Sequence, residues 1–182
     1  PVLFNGDFIL SDRLPVLYLP VYLGLSLSPI LLVGLAVGVL LAVRSAWRRP
    51  ESRLLLVIVA AWGVLPVVAV MILRPNMYDT IRQFLFTLPA FAVLTGWGWA
   101  AVADRMADAL PRTWIGLLVL AVFCLVALVP LVRWHPYQYA YTNWLAGDPA
   151  GRHRRWETDY WVTSYREAAE WINARQRESA RP

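Results

Sequence analysis

The chain has 182 residues, 59% hydrophobic and only 16% charged, with a mean hydropathy of +0.50 and a net charge of +5. Soluble domains are typically about 45–50% apolar and about 25% charged, so this composition argues against a water-soluble globule. The arginines flank long apolar runs, as the positive-inside rule expects of a membrane protein, and this argues against a nucleic-acid partner.

Residues 1–21 read as an outer-face interfacial loop. Apolar clusters alternate with Asn5-Gly6-Asp7 and Ser11-Asp12-Arg13, and Pro15 and Pro20 interrupt any single helix. Phe4, Phe8, Tyr18 and Tyr22 are expected to dip into the headgroup region. Asp7 and Asp12 either line a cavity or belong to a plain linker.

Residues 22–133 read as a four-helix transmembrane region. Spans are expected over 22–43, 54–73, 84–102 and 114–132, each close to the roughly 20 residues that cross a hydrocarbon core. Gly34 and Gly38, four apart, present a small-residue face for close helix packing. Pro66 should kink the second span. The basic loop over 44–53 is expected in the cytoplasm. Alternation then puts both ends of the chain, and the loop between the second and third spans, on the opposite side. The fold class expected is an all-α membrane protein with four transmembrane helices, an N-terminal interfacial loop and a small C-terminal extramembrane α-rich tail.

Residues 134–182 form that tail, polar and aromatic, with no run long enough to span. Ser164 and Glu167 have the spacing of a capping box, opening a helix to about Gln176. Trp161, Tyr165, Ala168 and Ile172 share one apolar face that needs burial against the membrane domain or an upstream extramembrane partner. The single cysteine, Cys124, lies in an apolar run, and no Cys/His cluster suggests a metal; no cofactor is implied. The chain begins at Pro1 without a basic-then-apolar leader, and it is read as the C-terminal piece of a longer membrane protein.

Two clusters carry candidate chemistry. In the outer loop, Arg74, Tyr78, Asp79 and Arg82 crowd one short turn at the mouth of the third span. An arginine there presents a fork of donors matched to phosphate oxygens. Asp79 is placed as an N-cap of the helix that follows, and free amides of its first turn favour an anion. The competing reading is a snorkelling arginine simply paired with Asp79. In the tail, Trp134-His135-Pro136-Tyr137-Gln138-Tyr139 resembles a sugar-binding surface, and an interfacial aromatic belt explains the tyrosines equally well. His135 is a candidate general base or a structural residue.

The run from Tyr78-Asp79-Thr80-Ile81-Arg82-Gln83-Phe84-Leu85-Phe86 to Pro89 resembles a segment of bacterial membrane glycosyltransferases of the GT-C superfamily. These use polyprenyl-phosphate sugars and include protein O-mannosyltransferases and aminoarabinose transferases. His135-Pro136-Tyr137-Gln138-Tyr139, Asn143, Leu145-Ala146-Gly147, Asp159-Tyr160-Trp161 and Ser164-Tyr165-Arg166-Glu167-Ala168 resemble the tail of the same enzymes. Leu14-Pro15 with Tyr18-Leu19-Pro20 is similar to another of their loops, with Val16 where tryptophan is common. The resemblance implies a multi-pass protein of the bacterial inner (plasma) membrane. It would move a sugar from a polyprenyl-phosphate donor to an acceptor glycan, lipid or protein on the outer face. Arg82, Tyr78 and Asp79, with His135 and Tyr137, would bind the carrier phosphate and substrate, and Arg74 joins them as a candidate from its place in the same turn; the catalytic base is expected upstream of this chain. The alternatives are a non-enzymatic membrane scaffold, a lipid-binding subunit or a transporter fragment.

Overall fold

The computed structural model describes residues 1–48, 50–109, 113–159 and 162–179. The protein is mostly helical, and the first departure from the sequence reading comes at its start. In place of a loop, Val2–Phe4 (β1) and Asp7–Ile9 (β2) pair antiparallel, with Leu3 opposite Phe8. Asn5 (φ 52°) and Gly6 (φ 98°) both occupy the left-handed region, the conformation a two-residue hairpin turn of this kind requires.

A short helix, Tyr18–Ser26 (α1), follows and ends at Leu27, whose backbone is extended. Pro29 then opens a second helix, Pro29–Arg48 (α2), bent 117° away from the first. The single span expected over 22–43 is therefore broken. A proline at the first helical position starts a helix readily but drives the preceding residue away from helical geometry. The expected loop over 44–53 is also shorter than predicted, because α2 runs to Arg48 and the next helix, Pro50–Leu73 (α3), begins two residues later.

A 3-10 turn over Arg82–Thr87 leads into Leu88–Ala109 (α4), and Thr113–Arg133 forms α5. Two segments, Leu54–Leu73 and Arg82–Met106, are long and apolar enough to cross a membrane. The bent α1–α2 pair makes a third if counted as one broken span, while Ala121–Arg133 is a shorter apolar helix. Many of their large apolar side chains face outward, among them Leu54, Leu65 and Ile72 on α3 and Leu125 and Val132 on α5. Exposed apolar surface on this scale marks contact with lipid or with another protein.

The closest helix crossing is between α2 and α4. A Cβ added at Gly38 would lie 1.9 Å from the Leu94 carbonyl oxygen, and one at Gly98 would lie 2.2 Å from that of Gly34. Only glycine lets the backbones approach this far. The Trp99 indole donates to the Ile30 carbonyl (3.1 Å) and the Thr95 hydroxyl to that of Leu31 (3.3 Å), tying the same two helices.

A second core lies at the end of the helices where the N-terminal hairpin and the tail meet. Tyr18 and Tyr22, each 1% exposed, pack with Phe4, Met77 and Trp156. Their rings contact one another edge-on or tilted at 4.9–5.9 Å. Phe4, Tyr18 and Tyr22 thus build a protein core instead of lying in the headgroup region; of the four aromatics expected there, only Phe8 is exposed. The tail wraps back to make this possible: Phe4 bridges Trp156, and the Gly6 amide donates to the Arg155 carbonyl at 3.0 Å.

The last helix, Tyr165–Ser179 (α6), is exposed along its described length. The burial expected for the face of Tyr165, Ala168 and Ile172 is absent among the described residues, because no described element packs on it; Trp161 lies outside them. The expected capping box is replaced as well. The Ser164 hydroxyl donates to the Asp159 carboxylate, and Glu167 pairs with the Tyr137 hydroxyl.

Candidate functional site

The turn between α3 and the 3-10 segment gathers four of the six sequence-predicted residues. α3 stops at Leu73, and Arg74 turns the chain with a φ of 47°. Met77 is buried, and its amide reaches the Ser11 carbonyl, so the turn is pinned to the N-terminal segment. Asp79 (φ 57°) and Thr80 (φ 55°) are then both left-handed, two consecutive non-glycine residues in a region that costs L-residues energy. Such strain persists only where the surroundings hold it, and Thr80 is buried.

Asp79 does not cap a helix. The residue preceding the 3-10 turn is Ile81, with no side-chain cap, and the Asp79 carboxylate accepts from Arg82 Nη1 at 2.8 Å. The left-handed backbone at Asp79 points its carboxylate at the guanidinium three residues on. Arg82 remains 48% exposed, Asp79 20%. An ion pair this open contributes about 0.2–1 kcal/mol, so its consequence is orientation of the guanidinium more than stability. Tyr78 beside it is exposed, and Arg74 lines a small cavity with Ser11, Asp12 and Tyr18.

Behind the turn sits Glu157, a residue the sequence did not single out. Its amide donates to the Tyr22 hydroxyl (3.3 Å), which itself donates to the Leu3 carbonyl (2.8 Å). Burial pushes the Glu157 carboxyl above the usual glutamate range, and the neighbouring Asp79 charge pushes it further, while the amides of Leu3 and Thr80 pull it back. Its Oε2 atom is buried without a hydrogen-bond partner. Glu157 therefore touches the N-terminal hairpin, α1 and the strained Asp79–Thr80 backbone together. Glutamate after an aromatic residue carries no local signal; its partners come from the far end of the chain.

His135 and Tyr137 lie in a different place. They line a cavity of about 250 Å³ with Arg133, Trp134, Tyr139 and Asp159, which does not include Arg74, Tyr78, Asp79 or Arg82. The His135-Pro136 peptide bond is cis, and His135 Nδ1 lies 2.9 Å from the Gln138 amide nitrogen. Glu167 accepts from the Tyr137 hydroxyl and, with slight desolvation, raises it to about 12. Asp159 loses solvation, yet hydrogen bonds from Ser164 and Tyr139 hold its carboxyl below the ordinary aspartate range. Asp159 is thus an ionised anchor for the start of α6. The two clusters are adjacent in the chain, since Glu157 faces the turn and Asp159, two residues on, faces the tail cavity. No family model, curated protein or solved structure matches the chain.

Proposed function

We propose that this chain is the C-terminal part of a membrane glycosyltransferase that moves a sugar from a polyprenyl-phosphate donor to an acceptor on the outer face of a bacterial inner membrane. The observation that carries this reading is Arg82: a guanidinium held in one orientation by Asp79, half exposed, at the point where an apolar segment begins. A lipid-borne phosphate needs such a group, because its charge must be met where the bilayer ends. As the sugar departs, negative charge grows on the phosphate, and a fixed arginine stabilises that charge best in a site with little water. Tyr78 offers an exposed phenol in the same turn, and Arg74 a second cation at its start.

In this reading the bent α1–α2 pair and α5 also cross the membrane, giving four spans. Both ends of the chain and the Arg74–Arg82 turn then lie outside, and the basic 44–53 segment lies in the cytoplasm. His135 and Tyr137 contribute to a neighbouring subsite on the same face, and the acceptor approaches over it. The resemblance of the turn and tail motifs to GT-C enzymes supports the reaction type.

Arg82→Ala in the full-length protein, assayed with a polyprenyl-phosphate sugar donor, is expected to lower turnover by about a hundredfold or more, as for removal of one transition-state charge partner elsewhere. Expression and helical content are expected to stay at wild-type levels. Wild-type turnover in a folded Arg82→Ala protein would sink the assignment.

A further inference from the structure

Where α5 meets the tail, a second cationic site is built from residues outside the turn. A cleft of about 510 Å³ is lined by Val129 and Pro130 from the end of α5, by Arg133 and Arg152, and by aromatic walls that include Trp134 and Trp144. Its lining contains no acidic side chain. Among the described residues the ion pairs are Arg82–Asp79 and Arg166–Glu170, so neither Arg133 nor Arg152 is neutralised by a carboxylate. Arg133 also borders the neighbouring cavity that holds Asp159, but within this cleft the two arginines present positive charge to an incoming anion.

Arg152 is fixed in place. Its Nε donates to the Gly147 carbonyl at 3.0 Å and its Nη1 to the Thr142 carbonyl at 2.9 Å, contacts that orient the guanidinium without cancelling its charge. The wall that carries those carbonyls is itself anchored, because the buried Asn143 side chain donates to the carbonyls of Gly24 (2.6 Å) and Leu27 (2.7 Å) at the α1–α2 break. The cleft is therefore preformed. Its floor includes Val129 and Pro130 at the apolar end of α5, with Val129 half exposed, and the Trp144 indole in its wall stands 69% exposed. Cations, an exposed indole and an apolar helix end in one place match the layered chemistry of a phospholipid, with headgroup phosphate above and acyl chain below.

We propose that this cleft binds the headgroup phosphate of an anionic membrane phospholipid, with Arg133 and Arg152 as its cationic anchors. The site is separate from the turn at Arg82 and does not rest on glycosyl transfer. A free phosphate would use the two arginines but leave the indole and the apolar floor without a partner.

The test is native mass spectrometry of the detergent-solubilised full-length protein, with phosphatidylglycerol or phosphatidylcholine as the probe. Wild type is expected to retain phosphatidylglycerol over phosphatidylcholine. Among the described residues the Arg133 side chain makes no hydrogen bond or ion pair, so Arg133→Gln should fold normally and lower phosphatidylglycerol retention about fivefold, the effect of one basic residue at an anionic surface. Arg133→Lys should keep most of the retention. Equal retention of the two lipids, equal retention by wild type and Arg133→Gln, or full displacement by an equal concentration of inorganic phosphate would each overturn the proposal. Lipid retention is read without turnover, so a failed transfer assay on Arg82→Ala leaves it standing and its failure leaves the Arg82 reading intact.

Discussion

The α2–α4 crossing and the outer layer around Glu157 are both places where the chain comes unusually close to itself, but they are held by opposite means. At the crossing, side chains are removed: Gly34, Gly38 and Gly98 let two backbones meet, and the Trp99 and Thr95 hydrogen bonds to carbonyls follow from that approach. In the outer layer, side chains are added. Phe4, Tyr18, Tyr22 and Trp156 fill the space between three distant segments, and a carboxylate sits among them. The first arrangement is tightly packed and gathers no ionisable group. The second leaves a strained backbone, a paired arginine and a half-buried acid next to one another, and that is where chemistry can be placed.

The largest effect on this contrast is expected from filling the crossing. In Gly38→Ala the new methyl would overlap the Leu94 carbonyl, so α2 and α4 must separate. Overpacking of this kind costs about 1–3 kcal/mol, and thermal unfolding in detergent micelles should show a clearly lowered midpoint. An unchanged midpoint would mean that the crossing is looser than its geometry implies.

A smaller effect is expected at the turn. Asparagine tolerates the left-handed backbone of position 79, so Asp79→Asn should keep the fold while removing the charge that orients Arg82. With an exposed pair worth at most about 1 kcal/mol, transfer should fall up to about fivefold, and lipid retention at the α5 cleft should not change. A loss as large as that of Arg82→Ala would instead give Asp79 a direct part in the reaction.

The smallest effect concerns pH. Burial and the Asp79 charge raise the folded-state value of Glu157, so its protonated form is favoured by folding. Its stabilising contribution is complete below the ordinary glutamate value and is lost as pH rises through the raised one. Stability should therefore decline across the window just above the ordinary glutamate range, and Glu157→Gln should flatten that decline. Denaturation midpoints collected across that window would show it; identical slopes in the two proteins would remove Glu157 as the responsible group.

What could be read from the sequence follows the range of each interaction. The four-residue spacing of Gly34 and Gly38 is local, and it located the face that α4 meets. The three-residue spacing of Asp79 and Arg82 likewise carried their pairing as one of two readings. The break before Pro29 was written in a single residue but hidden inside an apolar run that satisfied a span by composition alone. The hairpin at Asn5-Gly6 was read as a loop, because strands of three residues each leave too short an alternation to detect. Glu157 had no local signature. Its contact with Tyr22 spans 135 residues of the chain, and the cleft at Arg133 and Arg152 depends on a fold-back anchored more than a hundred residues away.

The turn at Arg74–Arg82 is the centre of this account, and one comparison tests it most directly. Full-length wild type and Arg82→Ala, both verified as folded, are given the same polyprenyl-phosphate sugar and acceptor, and single-turnover transfer is followed. At least about a hundredfold loss of rate is expected in the variant, with phosphatidylglycerol retention intact. Transfer at the wild-type rate from a folded Arg82→Ala protein would contradict it.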